Sequence, residues 1–264
     1  MLPVLTEKTD AEYGLNVRVN LYELENFIST QGANGSYFGN NQSGHNGYMT
    51  EFQADQDGTL MNFLDEWEKV VDSGAFKETR DSINEEFANG IHAMVIMSSS
   101  RIQTIDELVG DAYEWSISPI PKVSANDVGG AYPSGAGLFM LDRDQGKEEA
   151  IWEFTSYMIS PEAQATWLDG TGYTPVNKNT ADLEEYKTAI ANEPRLEIAT
   201  NNLLNTPSTV VGAFVPNSSS IDGTIKDAMM AFGNGSLSKD ETYDIIVNGV
   251  ESAMSEYYRA NPIQ

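Results

Sequence analysis

Apolar residues recur at three- and four-residue spacing along much of the chain, which is the spacing of one helix face. Ser160, Pro161 and Glu162 form a helix start, because serine caps the first turn, proline suits its first position and glutamate suits its dipole. The clearest apolar stripe is Leu60, Phe63, Leu64, Trp67, Val70 and Val71. We predict helices at about 60–73, up to 87, 147–159, 161–169, 182–192, 194–204, 221–232 and from 238 onwards.

Short apolar runs between these helices are predicted to be strands. They are HAMVIM (92–97), WSISPIP (115–121) and GLFML (137–141). Stretches rich in small and polar residues are predicted loops, namely 30–50, 124–136 and 207–220. Many helices with a few separated strands indicate the α/β class.

The charge balance excludes some kinds of partner. The chain has 264 residues, with 15 Lys and Arg against 40 Asp and Glu, for a formal net charge of −25. Nucleic-acid binding needs a basic surface that displaces counterions from phosphates, and an anionic membrane surface would repel this chain. We therefore expect no nucleic-acid partner, and we interpret the acidity as a means of keeping the protein dispersed.

Motifs for catalysis or metal binding are not found in the sequence. The chain has no cysteine, and neither His45 nor His92 has a second histidine at ligand spacing. The acidic stretch around Asp57 is similar to a calcium loop, but Leu64 stands where that loop needs an acid. Phosphate-loop and nucleophile-elbow patterns do not occur. We predict that the protein is not an enzyme and has no catalytic residue, metal site or cofactor.

The first residues, MLPVLTEKTDAEYG, do not match a signal peptide. They have no basic start, no long apolar stretch and no small-residue cleavage site. We expect the chain either to be cytosolic or to lack its original beginning.

Several segments, taken in order, resemble those of one protein family. The segments are YELENF (22–27), EEFANGIHAMVIMSSS (85–100), WSISPIP (115–121), GAGLFML (135–141), SPEAQATW (160–167), TGYTPV (171–176) and NNLLNTP (201–207). They resemble the family 1 extracellular solute-binding proteins of ABC importers, in the branch that binds glycerol 3-phosphate and sugars. The resemblance covers about residues 15–260.

The resemblance implies a periplasmic-binding-protein-like fold of two α/β lobes joined by a hinge, with the ligand between them. By this analogy, residues 1–134 and 179–264 form a helix-rich C-terminal lobe. Residues 135–178 form an excursion that belongs to the N-terminal lobe, whose opening part has no counterpart in the chain. Phe139, Phe154 and Trp167 on this excursion are then expected to be exposed as an apolar patch.

The same resemblance implies the function of an extracytoplasmic solute-binding component, periplasmic or at the cell surface. Such proteins are often lipoproteins, so a lipid anchor on a missing N-terminus is an expectation of the resemblance. The implied partners are a small sugar or polyol and an ABC permease in the membrane, and the full-length protein is expected to be a monomer. The alternative is a stand-alone acidic binding or adhesion module, or a degenerate truncated homologue with no transport role.

Four ligand-binding positions are carried over by resemblance. Ser98 matches a serine that follows one strand, Gly135 a glycine that precedes the next, and Tyr173 the tyrosine of the T-G-Y motif. A hydroxyl, a backbone amide and an aromatic ring suit a polyol. Each also has a purely structural interpretation: a strand end, a turn and a core side chain, respectively.

The fourth position departs from the pattern of the branch. Counting from Gly212 and Asn217, Asp222 stands where the branch has a phosphate-binding arginine, and an aspartate repels phosphate. Arg18 and Leu21 stand near two positions where the branch has tryptophans. We therefore predict a neutral sugar as the ligand in preference to glycerol phosphate.

Overall fold

The computed structural model describes residues 2–41, 43–79, 82–142 and 145–263. Within them the helices are α1 Leu2–Lys8, α2 Leu21–Ser29, α3 Gln53–Gln56, α4 Thr59–Asp72, α5 Ile83–Ala88, α6 Ile102–Val109, α7 Gln145–Met158, α8 Pro161–Thr171, α9 Glu184–Asn192, α10 Arg195–Leu204, α11 Ser218–Gly233 and α12 Lys239–Ala260. Short 3₁₀ turns lie at Ser99–Arg101 and Lys178–Asp182. The predicted helices are confirmed, although α11 begins three residues earlier, inside the predicted loop.

The chain divides into two compact units. Unit 1 contains Met1–Ile96, Ile120–Tyr132 and Thr206–Gln264, and unit 2 contains Met97–Pro119 and Pro133–Asn205. These borders differ from the predicted ones, since 97–119 and 179–205 group with the predicted excursion. The assignment of 1–134 and 179–264 to one lobe, and of 135–178 to the other, stays a prediction.

Unit 1 is built around the apolar faces of α2, α4, α11 and α12. The predicted stripe of α4 is buried at Leu60, Phe63, Leu64 and Trp67. Phe27 of α2 stacks on Phe63 with 5.1 Å between ring centroids. Full burial of such a side chain contributes about 1.5–3 kcal/mol, so burial of this helix face is a large favourable term in the folding of the unit.

Unit 2 has a smaller core beneath α6, α8, α9 and α10. Ile102, Leu168, Ala189 and Leu196 are its buried members, and Trp115 packs against them. The guanidinium of Arg195 lies 3.9 Å from the centroid of the Trp115 ring, a cation–π contact.

The predicted strands at 115–121 and 137–141 are wrong for the part of the chain that the structure describes, and the predicted strand at 92–97 is formed only in part. Residues 92–97 are half-buried apart from His92, and they meet residues 13–16 only through isolated parallel bridges, Tyr13 with His92 and Asn16 with Val95. Residues 115–121 and 137–141 form no bridge among the described residues. An apolar run becomes a strand only where a neighbouring segment takes up its backbone hydrogen bonds, and these two runs have none alongside.

The predicted apolar patch is exposed. Phe139 is 90% accessible to solvent, and Phe154 and Trp167 are also exposed. Within the described ranges, no helix is both long and apolar enough to cross a membrane.

Candidate ligand-binding site

Two of the predicted site residues lie on turns of unit 2 that pack together. Ser98 precedes the Ser99–Arg101 turn, and its Oγ accepts a hydrogen bond of 3.3 Å from the amide of Ser100. Tyr173 follows α8, is 42% exposed, and its amide donates to Oγ1 of Thr171 at 3.2 Å. The residue is thus accessible to solvent, as a tyrosine that stacks on a ligand must be.

Gly172 brings these two turns into contact. Its φ is +78°, and a Cβ built on it would lie 3.0 Å from the carbonyl oxygen of Ser99. It ends α8 as a left-handed cap whose amide donates to the carbonyl of Leu168 at 2.8 Å. A side chain at this position would be both strained and crowded, so glycine is what lets the Tyr173 turn approach the Ser98 turn.

Gly135 lies apart from these contacts. A Cβ on it would meet nothing within 4 Å, and the residue is exposed. The described structure therefore places no steric demand for glycine at this position, and its role in binding stays a prediction.

Asp222 belongs to unit 1, where it contacts the start of α2. Its Oδ1 accepts a hydrogen bond of 3.2 Å from the amide of Leu21. Asn20 Oδ1 accepts from the amide of Tyr22 at 2.9 Å, and Glu23 Oε2 accepts from the amide of Asn20 at 3.3 Å, which completes a capping box. The first amides of α2 are thus occupied by the protein's own oxygens.

Negative charge accumulates at this helix start. Burial raises the pKa of Glu23, the charge of Asp222 raises it further, and Arg18 opposes the shift. Two carboxylates beside one helix terminus make this part of unit 1 unfavourable for an anion.

The sequence reasoning missed a buried carboxylate on α2. Glu25 is only 5% exposed, and it accepts hydrogen bonds from the amide of Ala213 at 2.9 Å and from the hydroxyl of Tyr132 at 2.7 Å. The sequence offered no clear signal for it, because no helix was predicted at 21–29 and the burial of its neighbours Leu24 and Asn26 is a property of the fold. Among the described residues, no group of three or more potential ligand side chains could hold a metal ion.

Comparison with known proteins decides the family. The model of the family described as bacterial extracellular solute-binding protein matches residues 16–194. The chain belongs to the bacterial extracellular solute-binding proteins.

Curated relatives within this family include the sn-glycerol-3-phosphate-binding periplasmic protein UgpB of Escherichia coli. The version from strain O1:K1 is 28% identical over 188 residues, which cover 70% of this chain and 42% of the relative. The chain therefore spans less than half the length of that solute-binding protein.

Solved structures of solute-binding proteins share the fold. UgpB from Mycobacterium tuberculosis, in complex with glycerophosphocholine, aligns with a TM-score of 0.70 at 16% identity, covering 99% of this chain and 62% of its own. The sugar-binding protein MalE from Xanthomonas citri aligns with a TM-score of 0.74 at 16% identity, covering 98% and 62%. The predicted fold, part of a two-lobed periplasmic binding protein, is confirmed.

Proposed function

We propose that this chain is part of the solute-binding component of an ABC importer. It binds a carbohydrate or polyol outside the cytoplasmic membrane, without a catalytic step or a cofactor, and delivers it to a permease as a monomer. Membership of the family supports this role, as do the names of relatives that bind glycerol 3-phosphate, glycerophosphocholine or a sugar. Ser98, Gly135, Tyr173 and Asp222 are the proposed ligand contacts.

The ligand we favour is a neutral sugar, and Asp222 is the observation that carries this choice. Free amides at a helix start commonly bind phosphate, because they point at the ligand and the helix dipole attracts negative charge. Here the amide of Leu21 already donates to the Asp222 carboxylate. A phosphate at this place would have to displace a bound carboxylate and then face its charge.

Calorimetric titration with maltose, glycerol, sn-glycerol 3-phosphate and glycerophosphocholine tests the proposal. Both the product of the complete open reading frame and the 264-residue chain are titrated. We expect the complete product to bind a neutral compound and the chain alone to bind it more weakly. Equal affinity would contradict a two-lobed cleft and favour the stand-alone binding module, and preferential binding of either phosphate compound would contradict the neutral ligand.

A pair of variants isolates the role of the aspartate. Replacing Asp222 with Arg should raise the affinity for sn-glycerol 3-phosphate about tenfold or more, because an arginine binds phosphate through two parallel hydrogen bonds. Asp244 is an exposed aspartate on α12, and its replacement with Arg makes the same change in net charge. An equal gain in both variants would show a general charge effect and refute a specific role for Asp222.

A further inference from the structure

Tyr132 is held on α2 through each of its polar groups. Its amide donates to Oδ1 of Asn26 at 3.0 Å, and its carbonyl accepts from the hydroxyl of Tyr22 at 3.0 Å. Its own hydroxyl donates to Oε2 of Glu25 at 2.7 Å. The rings of Tyr22 and Tyr132 also meet edge to face, with 5.1 Å between centroids. These three α2 residues belong to YELENF, the segment singled out by resemblance alone.

A second loop is attached to the same carboxylate. The other oxygen of Glu25, Oε1, accepts from the amide of Ala213 at 2.9 Å. The next residue back, Gly212, lies against the Tyr132 ring, because a Cβ there would come within 2.9 Å of ring atom Cε2. Two segments far apart in sequence, 129–132 and 207–214, are therefore joined through one buried side chain on α2.

In the hydrogen bond between Tyr132 and Glu25, the tyrosine hydroxyl stays protonated and is the donor. Burial raises the pKa of Tyr132 far above its ordinary value, and the neighbouring Glu25 charge raises it further. Burial likewise raises the pKa of Glu25, against the lowering effect of its two donors. Because both oxygens of this carboxylate have donors, loss of either donor leaves a buried oxygen unpaired, which is costly.

We propose that YELENF is a socket for Tyr132, in which Glu25 is a positioning residue that orders the loops 129–132 and 207–214. Tyr132 stands three residues before Gly135, and the second loop leads into the helix that carries Asp222. The socket thereby positions the two segments that lead to the proposed ligand contacts Gly135 and Asp222. This role in ligand binding rests on the proposed function.

Amide hydrogen exchange of the 264-residue chain tests the socket, with no ligand needed. In Glu25→Leu, the Tyr132 hydroxyl and the Ala213 amide lose their acceptors. The two loops should then open more often, so we expect the amide of Ala213, and that of Tyr132 on Asn26, to exchange about tenfold faster or more. Glu25→Gln is the conservative rescue. Its carbonyl can accept from Ala213 and its amide can donate to the Tyr132 hydroxyl, so protection should stay close to that of the wild type.

Two comparisons separate positioning from a general loss of stability. Tyr243→Phe removes a hydroxyl that donates to Asp55 elsewhere in unit 1, and it should leave the two reporter amides unchanged. Tyr132→Phe should accelerate Ala213 exchange when Glu25 is present and add little in the Glu25→Leu background, since the pair acts as one unit.

The proposal is overturned if Glu25→Leu leaves both amides protected, if Gln fails to rescue them, or if the effects of the two substitutions simply add. Failure of every compound in the calorimetric panel to bind would count against the proposed function only. The exchange result would still decide whether the socket exists.

Discussion

Replacing Gly172 with Ala should destabilise unit 2, because this residue is both left-handed and crowded. An alanine at φ +78° carries a strain of about 1–2 kcal/mol relative to the right-handed form. Its Cβ would lie 3.0 Å from the Ser99 carbonyl oxygen, and moving that turn aside costs about 1 kcal/mol more. Restriction of the unfolded chain offsets about 0.4–1 kcal/mol. The net loss is about 2 kcal/mol.

Urea unfolding followed by tryptophan fluorescence measures this loss. Trp115, Trp152 and Trp167 belong to unit 2, so the signal reports mainly on that unit. The matched control is Gly170→Ala, two residues earlier and inside α8, where a Cβ meets nothing within 4 Å. Alanine in that helical position should stabilise by up to about 1 kcal/mol.

The comparison of the two variants refutes the reasoning if Gly172→Ala is as stable as Gly170→Ala. Equal stability would show that the turn after α8 can move away from the Ser98 turn at no cost in free energy. The proposed placement of Tyr173 beside Ser98 would then lose its structural basis.

Three further outcomes are expected. Burial raises the pKa of Glu25, so the folded protein binds this proton more tightly than the unfolded chain does. The stability of the wild type relative to Glu25→Gln should therefore rise as the pH falls from neutral through that pKa. Denaturant titrations at several pH values measure this, and the opposite slope would contradict it. The hydrogen bond to Asp55 raises the pKa of Tyr243 from 10.0 to about 12. The stability that this shift contributes below pH 10 should be lost as the pH rises through 12. Thermal melts across this pH range should show the loss of stability in the wild type and not in Tyr243→Phe. The exposed rings of Phe139 and Phe154 should bind an apolar dye or drive dimerisation of the 264-residue chain, and replacing both with Ser should reduce either signal; a dye-negative monomer in both forms would refute the patch.

Most helices were predictable from the sequence because their determinants are local, although α1, α2, α3 and α6 were not predicted. The apolar spacing from Leu60 places one face of α4 in the core, and Ser160 caps α8 by accepting from the amide of Ala163 at 3.2 Å. Strands were not predictable in the same way. The run 137–141 has the composition of a strand, but strand pairing depends on a neighbour that its own residues do not specify.

The candidate site was likewise predictable only in part. Resemblance named Ser98 and Tyr173 as ligand contacts from short motifs, and that role stays a prediction. The packing of their two turns depends on Gly172 and emerges only when the chain folds. The role of Asp222 as a cap on α2 was also invisible, since it joins residues 201 positions apart.

The sequence by itself determined most of the helices, the acidic surface and the family, because periodicity, charge and ordered motifs are properties of the chain read in order. Only the tertiary structure decided that Tyr132 and Ala213 donate to the buried carboxylate of Glu25. Glu25 and Tyr132 are 107 positions apart, and Glu25 and Ala213 are 188 apart. A buried carboxylate requires donors whatever their place in the chain, and folding alone determines which donors reach it.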